Sequence, residues 1–383
     1  MAFELDSGNE SVVSIKVIGI GGGGNNVVNR MMEAGVTSAD MVAVNTDRQA
    51  LIKTRATHKL QIGEKQTGGK GAGSSPEIGR KSMEESRQEM SKLLTGTDMV
   101  FISAGMGGGT GTGASPIVAD IAREQQILTI GIVTKPFHFE GPHRMKQAEA
   151  GIEELRSRVD SLIVIPNERL KLVSTEKISF ATGFKIADDV LKQAVQSISD
   201  LINTTQLINL DFADVSAIMR DAGYAHIGVG QASGKSKAED ASRQAIQSPL
   251  LETTINGAKG VIINITGDAD LALEDVEMAA NMVKGAVHHD ANIIFGAAID
   301  ESMDDEIRVI VIATGFDEGA ILPDDGLFTG SASKSAPKPQ PATVSEPVTG
   351  EQAAPFPAAT APAKEEPQEE DPFESIFRIF NKK

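Results

Sequence analysis

The chain has 383 residues, 40% of them hydrophobic, and a formal net charge of −17. This length exceeds the size at which one hydrophobic core usually stops growing, so we expect two domains and a tail. The absence of cysteine excludes disulfides and thiolate metal sites, and the acidic charge argues against nucleic acid as the main partner. No apolar run reaches the roughly 20 residues of a membrane helix, and residues 1–6 lack the basic start of a signal peptide. We therefore expect a cytoplasmic protein.

Short apolar strands alternate with amphipathic helices in the first half of the chain. Residues 1–14 form a polar, flexible lead. The pattern after this lead predicts strands at residues 15–20, 41–45, 99–104, 128–134 and 161–166. Alternation of strands and helices is typical of a parallel sheet that is covered on both faces. Ligands of such sheets bind at the carboxyl ends of the strands.

The second half of the chain begins with a long helical pattern over residues 180–203, which predicts a connecting helix. Residues 230–236 resemble a lysine-bearing phosphate loop, but they have three residues between the glycines instead of four, so we interpret them as an ordinary loop. The remaining pattern predicts a smaller α+β domain. Its strands are expected at residues 260–266, 291–299 and 307–314, and its helices at residues 238–247 and 273–287.

The composition changes after about residue 323. Nine of the 16 prolines lie at or after Ser331, which predicts a disordered linker because such a segment cannot bury enough apolar surface. Four large apolar residues near the end have the spacing of one helix face: Phe373, Ile376, Phe377 and Phe380. A short apolar helix behind a disordered linker is typical of a segment that docks into a partner.

The most informative stretch is the glycine run at residues 105–114, in which six of ten residues are glycine. It follows a strand pattern and opens a helix pattern, which is the geometry that directs backbone N–H groups at a phosphate. Glycine suits this place because a Cβ atom would block close approach of the ligand. The run contains no lysine, so it differs from the lysine-bearing loop of the common nucleotide triphosphatases.

Two further glycine runs lie at residues 19–24 and 68–75. The first matches the G-x-G-x-x-G pattern of dinucleotide-binding folds, so a dinucleotide-dependent oxidoreductase is an alternative. That fold places an acidic residue at the end of its second strand, and residues 45–47 (Asn-Thr-Asp) match this imperfectly. Three glycine loops after successive strands instead favour a single triphosphate held from several sides.

Charged side chains give two further candidates. Asp211 and Asp214 are three residues apart, so one helical turn would place both carboxylates on the same side. Such a pair can orient an attacking water or hold a cation, and a helix N-cap with an acidic first turn is the simpler alternative. Glu140 and Arg144 form a surface ion pair or contact a ribose and a phosphate. His288-His289 has no supporting carboxylate or cysteine spacing, so we interpret it as structural.

Together these motifs resemble the FtsZ/tubulin family, its bacterial FtsZ branch in particular, from about residue 14 to residue 316. The most specific motifs are residues 107–113 and 209–214. The segments 19–26, 45–47 and 134–137 agree in order and spacing. The resemblance implies an α/β fold with a Rossmann-like parallel-sheet GTP-binding domain, a long connecting helix, a smaller α+β C-terminal domain and a disordered tail.

We place the boundaries of these parts as follows: a flexible lead at residues 1–14, the GTP-binding domain at 15–178, the connecting helix at 179–206, the C-terminal domain with the catalytic loop at 207–318, the disordered linker at 319–370 and a partner-docking peptide at 371–383.

The implied ligand is GTP or GDP with Mg²⁺, whose protein ligands stay open. Asn26 and Asp188 would bind the guanine base, and Phe184 would stack on it. Glu140 would bind the ribose, and Arg144 the ribose or a phosphate. The residues that would hold the phosphates are Gly22, Gly23, Gly24, Asn25, Gly109, Thr110 and Gly111.

The resemblance also implies a mechanism. Asp211, Asp214 and Asn209 would enter the nucleotide site of the next subunit, so hydrolysis would require head-to-tail assembly. A heterologous contact of this kind generates a filament, here one of the cytokinetic ring at the mid-cell division site. Tethers and regulators would bind residues 371–383, and the membrane would be reached only indirectly. A guanine-nucleotide switch that does not polymerise is the remaining alternative.

Two segments depart from the family pattern. Residues 203–207 lack the Pro-Gly turn common before the catalytic loop, and the terminal peptide has Phe-Glu-Ser-Ile-Phe in place of the Leu-Asp-Ile-Pro core. The first departure affects the geometry of the loop, and the second leaves the identity of the tether open.

Overall fold

The computed structural model describes residues 13–172, 179–203, 208, 211–248, 255–300 and 303–316. These residues belong to one compact unit, Met1–Asp325. Most of the predicted lead, the linker at residues 319–370, the docking peptide at residues 371–383 and Asn209 lie outside the described residues, as does the segment 204–207. The domain boundaries drawn from the sequence therefore stay predictions.

The described chain forms ten strands. Their bounds are β1 Ile15–Ile20, β2 Asp40–Asn45, β3 His58–Gln61, β4 Met99–Gly105, β5 Leu128–Lys135, β6 Ser161–Pro166, β7 Gly223–Ser233, β8 Gly260–Gly267, β9 Asn292–Ile299 and β10 Glu306–Thr314. All ten belong to one sheet in the order β3-β2-β1-β4-β5-β6-β7-β10-β8-β9. The eight strands predicted from the sequence are confirmed within one residue at each end, and β3 and β7 were not predicted.

The α-helices of the described chain are α1 Gly21–Glu33, α2 Arg48–Lys53, α3 Glu64–Thr67, α4 Pro76–Glu85, α5 Arg87–Leu94, α6 Thr110–Glu124, α7 Pro142–Arg156, α8 Phe180–Asn203, α9 Phe212–Met219, α10 Lys237–Ile246 and α11 Leu273–Ala286. None of these helices is both long enough and apolar enough to span a lipid bilayer.

Strands β1 to β6 pair in parallel in the order β3-β2-β1-β4-β5-β6, which is the Rossmann arrangement. Because successive side chains of a strand point to opposite faces, each strand contributes to two cores. In β4, Phe101 belongs to the core on one face and Ile102 to the core on the other. The predicted parallel sheet that is covered on both faces is confirmed.

Strand β7 continues this sheet by pairing in parallel with β6 over three residue pairs, the first of them Ser161 with Gly223. Strand β10 lies antiparallel between β7 and β8, and β9 runs parallel to β8. A third core lies between this part of the sheet and helices α10 and α11. The mixed strand directions fit the α+β character predicted for this part of the chain.

The interpretation of residues 230–236 as a loop was wrong for the first four of them, which complete β7. Glycine is rare in strand interiors, and this hid the strand from a sequence pattern. The glycines have a packing reason. A Cβ atom on Gly228 or Gly230 would clash with the backbone carbonyls of Ala245 or Ala241 in α10. The helix therefore packs directly against the backbone of the strand.

Helix α8 has the predicted bounds and decides where the functional groups lie. Its 24 residues extend over about 36 Å at 1.5 Å per residue. Near its beginning, the ring of Phe184 lies 5.3 Å from that of Phe137, which follows β5. At its end, the amide of Asn203 donates to the carbonyls of Val13 (3.1 Å) and Ser38 (2.8 Å), just before β1 and β2. The helix therefore runs from the carboxyl ends of the strands to their amino ends.

Candidate nucleotide-binding site

Two helices begin beside each other at the carboxyl ends of β1 and β4. Helix α1 starts at Gly21 directly after β1, and helix α6 starts at Thr110 after the glycine run that follows β4. Neither helix has a capping side chain or an acidic residue in its first turn. The first N–H groups of a helix lack intrahelical partners and carry a partial positive charge. The pair of helix N-termini is therefore suited to an anion.

The backbones of the two glycine runs touch. A Cβ atom on Gly21 would lie 3.0 Å from the backbone nitrogen of Gly111, and one on Gly23 would lie 3.1 Å from that of Gly105. Gly21 also has a φ of +72°, a backbone conformation that residues with a side chain rarely adopt. The runs at residues 19–24 and 105–114, which the sequence showed only as separate motifs, form one surface.

The glycine run at residues 68–75 packs against the run at residues 105–114. A Cβ atom on Gly109 would lie 2.8 Å from the Cβ of Ala72 and 2.9 Å from the backbone nitrogen of Ser75. The hydroxyls of Thr46, after β2, and Thr110, at the start of α6, are 2.7 Å apart. Three glycine runs and the end of β2 therefore meet at one place, as expected for a phosphate held from several sides.

Open space lies over two of these glycines. A Cβ atom on Gly22 or on Gly108 would meet no heavy atom within 4 Å. Gly22 is exposed and Gly108 is partly exposed, whereas their neighbours Gly21 and Gly109 are buried. The fold therefore leaves room for a ligand at these two positions. Gly108 was not among the phosphate-binding residues predicted from the sequence, although it lies within the glycine run.

The side chain of Asn25 holds the loop together. Its amide nitrogen donates to the carbonyl of Gly19 at 2.8 Å, and its oxygen accepts from Nδ2 of Asn45 at 2.7 Å. The oxygen of Asn45 in turn accepts from the backbone N–H of Asp47 at 3.1 Å. These bonds connect β1, α1 and the end of β2. The predicted contact between Asn25 and a phosphate stays a prediction, and Asn45 is a positioning residue that the sequence reasoning did not identify.

Glu140 ends a short 3-10 helix, His138–Glu140, and Arg144 lies in the first turn of α7, against the glycine run. Oε2 of Glu140 is 3.0 Å from Nη1 of Arg144, and Oε1 accepts from the backbone N–H of Phe137 at 2.9 Å. A Cβ atom on Gly107 would lie 2.7 Å from Cγ of Arg144. The ion pair considered from the sequence exists. It also places a half-exposed guanidinium beside the phosphate loop.

Phe184 belongs to an aromatic cluster next to this ion pair. The rings of Phe137 and Phe139 stack at 5.2 Å, and the ring of Phe184 meets that of Phe137 edge-on. Phe139 is 58% exposed, so the cluster presents an apolar face to a ligand. Phe137 belongs to the segment 134–137 that was singled out in the sequence, but its side chain was not assigned a role there.

Asp188 lies one helical turn after Phe184 on α8 and faces α1, which carries Asn26 and, one turn further, Arg30. Burial raises the pKa of the Asp188 carboxyl to about 7. The charge of Arg30 opposes this rise, and the charge of Asp189 adds to it. Asp188 therefore changes charge near neutral pH, and a ligand that donates hydrogen bonds to it would favour the ionised form.

Asp211 and Asp214 lie at the amino ends of the parallel strands, opposite to the ends that carry the glycine loops. Asp211 is the N-cap of α9, where Oδ1 accepts from the backbone N–H of Asp214 at 2.8 Å, and both residues are exposed. At the end of α9, the carbonyl of Met219 accepts from Oγ of Ser161, the first residue of β6, at 2.6 Å. The simpler alternative, an N-cap with an acidic first turn, is confirmed. The structure does not bring these carboxylates to the glycine loops of the same chain.

Comparison with known proteins agrees with this geometry. The chain matches the "Tubulin/FtsZ family, GTPase domain" at residues 14–175 and the "FtsZ family, C-terminal domain" at residues 223–317. An empty FtsZ dimer from M. jannaschii is 43% identical, with a TM-score of 0.77 over 79% of this chain and 88% of that one. A point mutant of FtsZ from the same organism gives the same identity and TM-score over 79% and 91%.

A more distant structure shows the same fold. CetZ2 from Haloferax volcanii, a GTPγS-bound protofilament, is 20% identical and has a TM-score of 0.68 over 80% of this chain and 94% of that one.

The raised pKa of Asp188 predicts a pH-dependent stability. The folded protein binds this proton more tightly than the unfolded chain, so the contribution of Asp188 is most favourable below about pH 4 and is lost as the pH rises through 7. In the nucleotide-free protein, Asp188→Asn is expected to gain stability relative to wild type between about pH 5 and pH 8. The gain over this range is at most about 3 kcal/mol, because about two pH units separate pH 5 from the pKa of about 7 and one unit corresponds to about 1.4 kcal/mol.

Urea denaturation at both pH values measures this difference, with Asp240→Asn, whose side chain is half-exposed, as control. An equal difference between Asp188→Asn and wild type at the two pH values would contradict the prediction.

Proposed function

The chain belongs to the tubulin/FtsZ family and is a GTPase, and from this premise we propose that it polymerises head to tail into filaments of the bacterial division ring. One observation carries the proposal. The glycine loops lie at the carboxyl ends of the parallel strands, and the exposed carboxylates of Asp211 and Asp214 lie at their amino ends. A complete hydrolytic site therefore needs a second copy of the chain.

In this proposal the phosphates of GTP occupy the open space over Gly22 and between the starts of α1 and α6. The chain carries a net charge of −17, so its overall field repels an anion, and binding relies on local backbone N–H groups. Those groups come from residues 22–25 and 109–111, and Arg144 adds a positive charge at the edge. Mg²⁺ is usually held by substrate phosphates together with a few protein oxygens. Thr110, which is partly exposed, offers a hydroxyl oxygen of that kind in the site, whereas the hydroxyl of Thr46, 2.7 Å away, is fully buried.

The nucleoside would lie between α1 and α8. The cluster around Phe184 offers an apolar surface for the base, and Glu140, whose side chain is 10% exposed, would bind the ribose. A guanine base presents N–H donors on its pairing edge. These donors match an ionised Asp188, and Asn26 would complete the recognition of the base. Binding of the base would then draw the proton from Asp188.

Hydrolysis would be completed in trans. Within one chain, α8 extends about 36 Å between the edge with the nucleotide loops and the edge from which Asp211 and Asp214 project. Stacking of identical subunits head to tail would place these carboxylates, together with Asn209, over the nucleotide of the neighbour. There they would orient or polarise the attacking water. The solved FtsZ that is 43% identical is a dimer, which supports self-association.

The two alternatives are less well supported. A dinucleotide-dependent oxidoreductase needs one glycine cradle, whereas three runs meet here, and the family is one of GTPases. A guanine-nucleotide switch that does not polymerise gives the distant pair of exposed carboxylates no role beyond the start of α9. We also propose that the protein works in the cytoplasm at mid-cell. There, residues 371–383 would bind tethers and regulators and would connect the filament to the membrane only indirectly.

Gly22→Ala tests the position of the phosphates. The fold has space for the new methyl group, so the melting temperature should stay close to that of wild type. The methyl group would project into the phosphate site, and the affinity for GTP should fall at least about tenfold, or about 1.4 kcal/mol. Calorimetric titration measures the affinity.

The matched control for this variant is Gly285→Ala in α11, where a Cβ atom also meets no neighbour within 4 Å. Unchanged GTP affinity in Gly22→Ala would rule out this placement of the phosphates.

Asp211→Asn tests completion of the site in trans. Asparagine caps a helix as well as aspartate does, so α9 should be preserved while the charge is removed. GTP binding should be unchanged, and turnover should fall about 100-fold or more. An equal mixture with Gly22→Ala, at a GTP concentration that fills only the sites of Asp211→Asn, should recover part of the turnover, because the Gly22→Ala subunit supplies Asp211 to its neighbour.

Asp240→Asn, in the acidic first turn of α10, is the control and should keep wild-type turnover. Sedimentation of the wild type with GTP and with GDP should give a pellet only with GTP. Wild-type turnover by Asp211→Asn would refute the shared site, and the absence of a GTP-dependent pellet would refute the filament.

Removal of residues 371–383 tests the docking peptide. GTP turnover and sedimentation should be unchanged, because the nucleotide site and the α9 carboxylates are retained, and a fluorescent fusion should no longer concentrate in a ring. A truncated protein that loses GTPase activity would show that the peptide serves the catalytic unit instead.

A further inference from the structure

The turn between α11 and β9 brings two imidazoles and a carboxylate together. His288, His289 and Asp290 each offer a ligand atom, and these atoms lie within 4.8 Å of one another. Within the described part of the chain this is the one group of three His, Cys, Asp or Glu side chains with such spacing. The sequence pattern favoured a structural role for the two histidines, because no carboxylate or cysteine spacing supported a metal site. In the structure the carboxylate of Asp290 lies beside them.

The backbone gathers these side chains. The turn is closed by a hydrogen bond from the N–H of Ala291 to the carbonyl of His288 at 3.0 Å. The N–H of Asp290 donates to Nδ1 of His288 at 3.2 Å. The next residue along the strand, Asn292, donates its N–H to the carbonyl of Lys259 at 2.8 Å. The turn is therefore anchored to the sheet at the start of β9, and its three side chains project from one short segment.

The side chains already face one another. Nε2 of His289 is 3.0 Å from Oδ2 of Asp290, and the centroids of the two imidazole rings are 4.3 Å apart. An ion pair accounts for the contact between His289 and Asp290, and the hydrogen bond from the N–H of Asp290 to Nδ1 of His288 orients the second ring. The ligand atoms of the three side chains lie close enough together for one cation to contact all of them.

We propose that His288, His289 and Asp290 bind one divalent transition-metal ion, of which Zn²⁺ is the representative. Imidazole nitrogens with a carboxylate oxygen suit Zn²⁺ at about 2.0–2.2 Å, whereas Mg²⁺ and Ca²⁺ prefer sites made of oxygen. Ligands of one such ion lie about 3–4 Å apart, so the widest separation in the cluster, up to 4.8 Å, has to shorten by about 1–2 Å. The side chains of His289 and Asp290 are 79% and 76% exposed, so they are free to rotate.

One property follows from this ligand set. Three protein ligands leave one position of a tetrahedral ion to water or to a group from another molecule. Two residues after Asp290, Asn292 lines a groove of about 270 Å³ together with Asp214. The proposed metal site does not depend on the proposed function.

The experiment uses the full-length protein with bound GDP and excess Mg²⁺, freed of other metals with a chelator and dialysed. Zn²⁺ alone is the probe, and equilibrium dialysis with elemental analysis gives the stoichiometry. We expect one Zn²⁺ per chain that His289→Gln and Asp290→Asn bind at least about tenfold more weakly. His58→Gln, an exposed histidine of β3, is the control and should bind as wild type does.

Co²⁺ separates this site from ions held by the nucleotide, because a four-coordinate site absorbs visible light far more strongly than a six-coordinate one. The wild type and His58→Gln should give this absorption, and His289→Gln should lose it while keeping its melting temperature. The proposal is overturned if wild type binds no Zn²⁺ beyond the amount held by GDP, or if His289→Gln matches wild type in Zn²⁺ stoichiometry and affinity.

Discussion

The structure depends on backbone approaching backbone at the carboxyl ends of β1 and β4. A Cβ atom on Gly21 or Gly23 would meet the amides of Gly111 or Gly105 at close to 3 Å, which is tighter than nine in ten real contacts of this kind. Glycine at these positions lets α1 and α6 start next to each other without displacing either backbone. The helix N-termini then combine into one anion site, which an acidic protein could not build from its overall charge.

The second constraint is the length of α8. Its buried face packs in the core beneath the sheet, and its ends reach both edges of the parallel strands, with Phe184 and Asp188 at one edge and Asn203 at the other. One rigid element therefore fixes the nucleoside side of the site and also the place from which the chain continues towards Asp211. The separation of the two halves of the proposed active site is a consequence of helix geometry and does not require any particular loop conformation.

The third constraint is that one continuous sheet carries both the glycine loops and α9. Strand β7 extends the parallel part of the sheet by pairing with β6 over three residue pairs. The hydroxyl of Ser161, the first residue of β6, donates a hydrogen bond to the end of α9. The carboxylates at the start of α9 are thus attached to the same sheet that carries the glycine loops. This arrangement suits a protein that uses one end to bind a nucleotide and the other end to act on the nucleotide of a neighbour.

The sequence by itself determined the elements and the ligand chemistry. Continuous apolar runs predicted eight of the ten described strands, the 3.6-residue period predicted α8 to the residue, and the glycine runs predicted a phosphate site, because these signals are local. It missed β7, whose Gly228 and Gly230 are set by contact with α10, a distant segment. Only the tertiary structure decided that three glycine runs meet, that Asn45 holds Asn25, and that Asp211 faces away from the nucleotide loops of its own chain. Each of these depends on how far apart two segments lie after folding, and spacing along a chain carries no such distance.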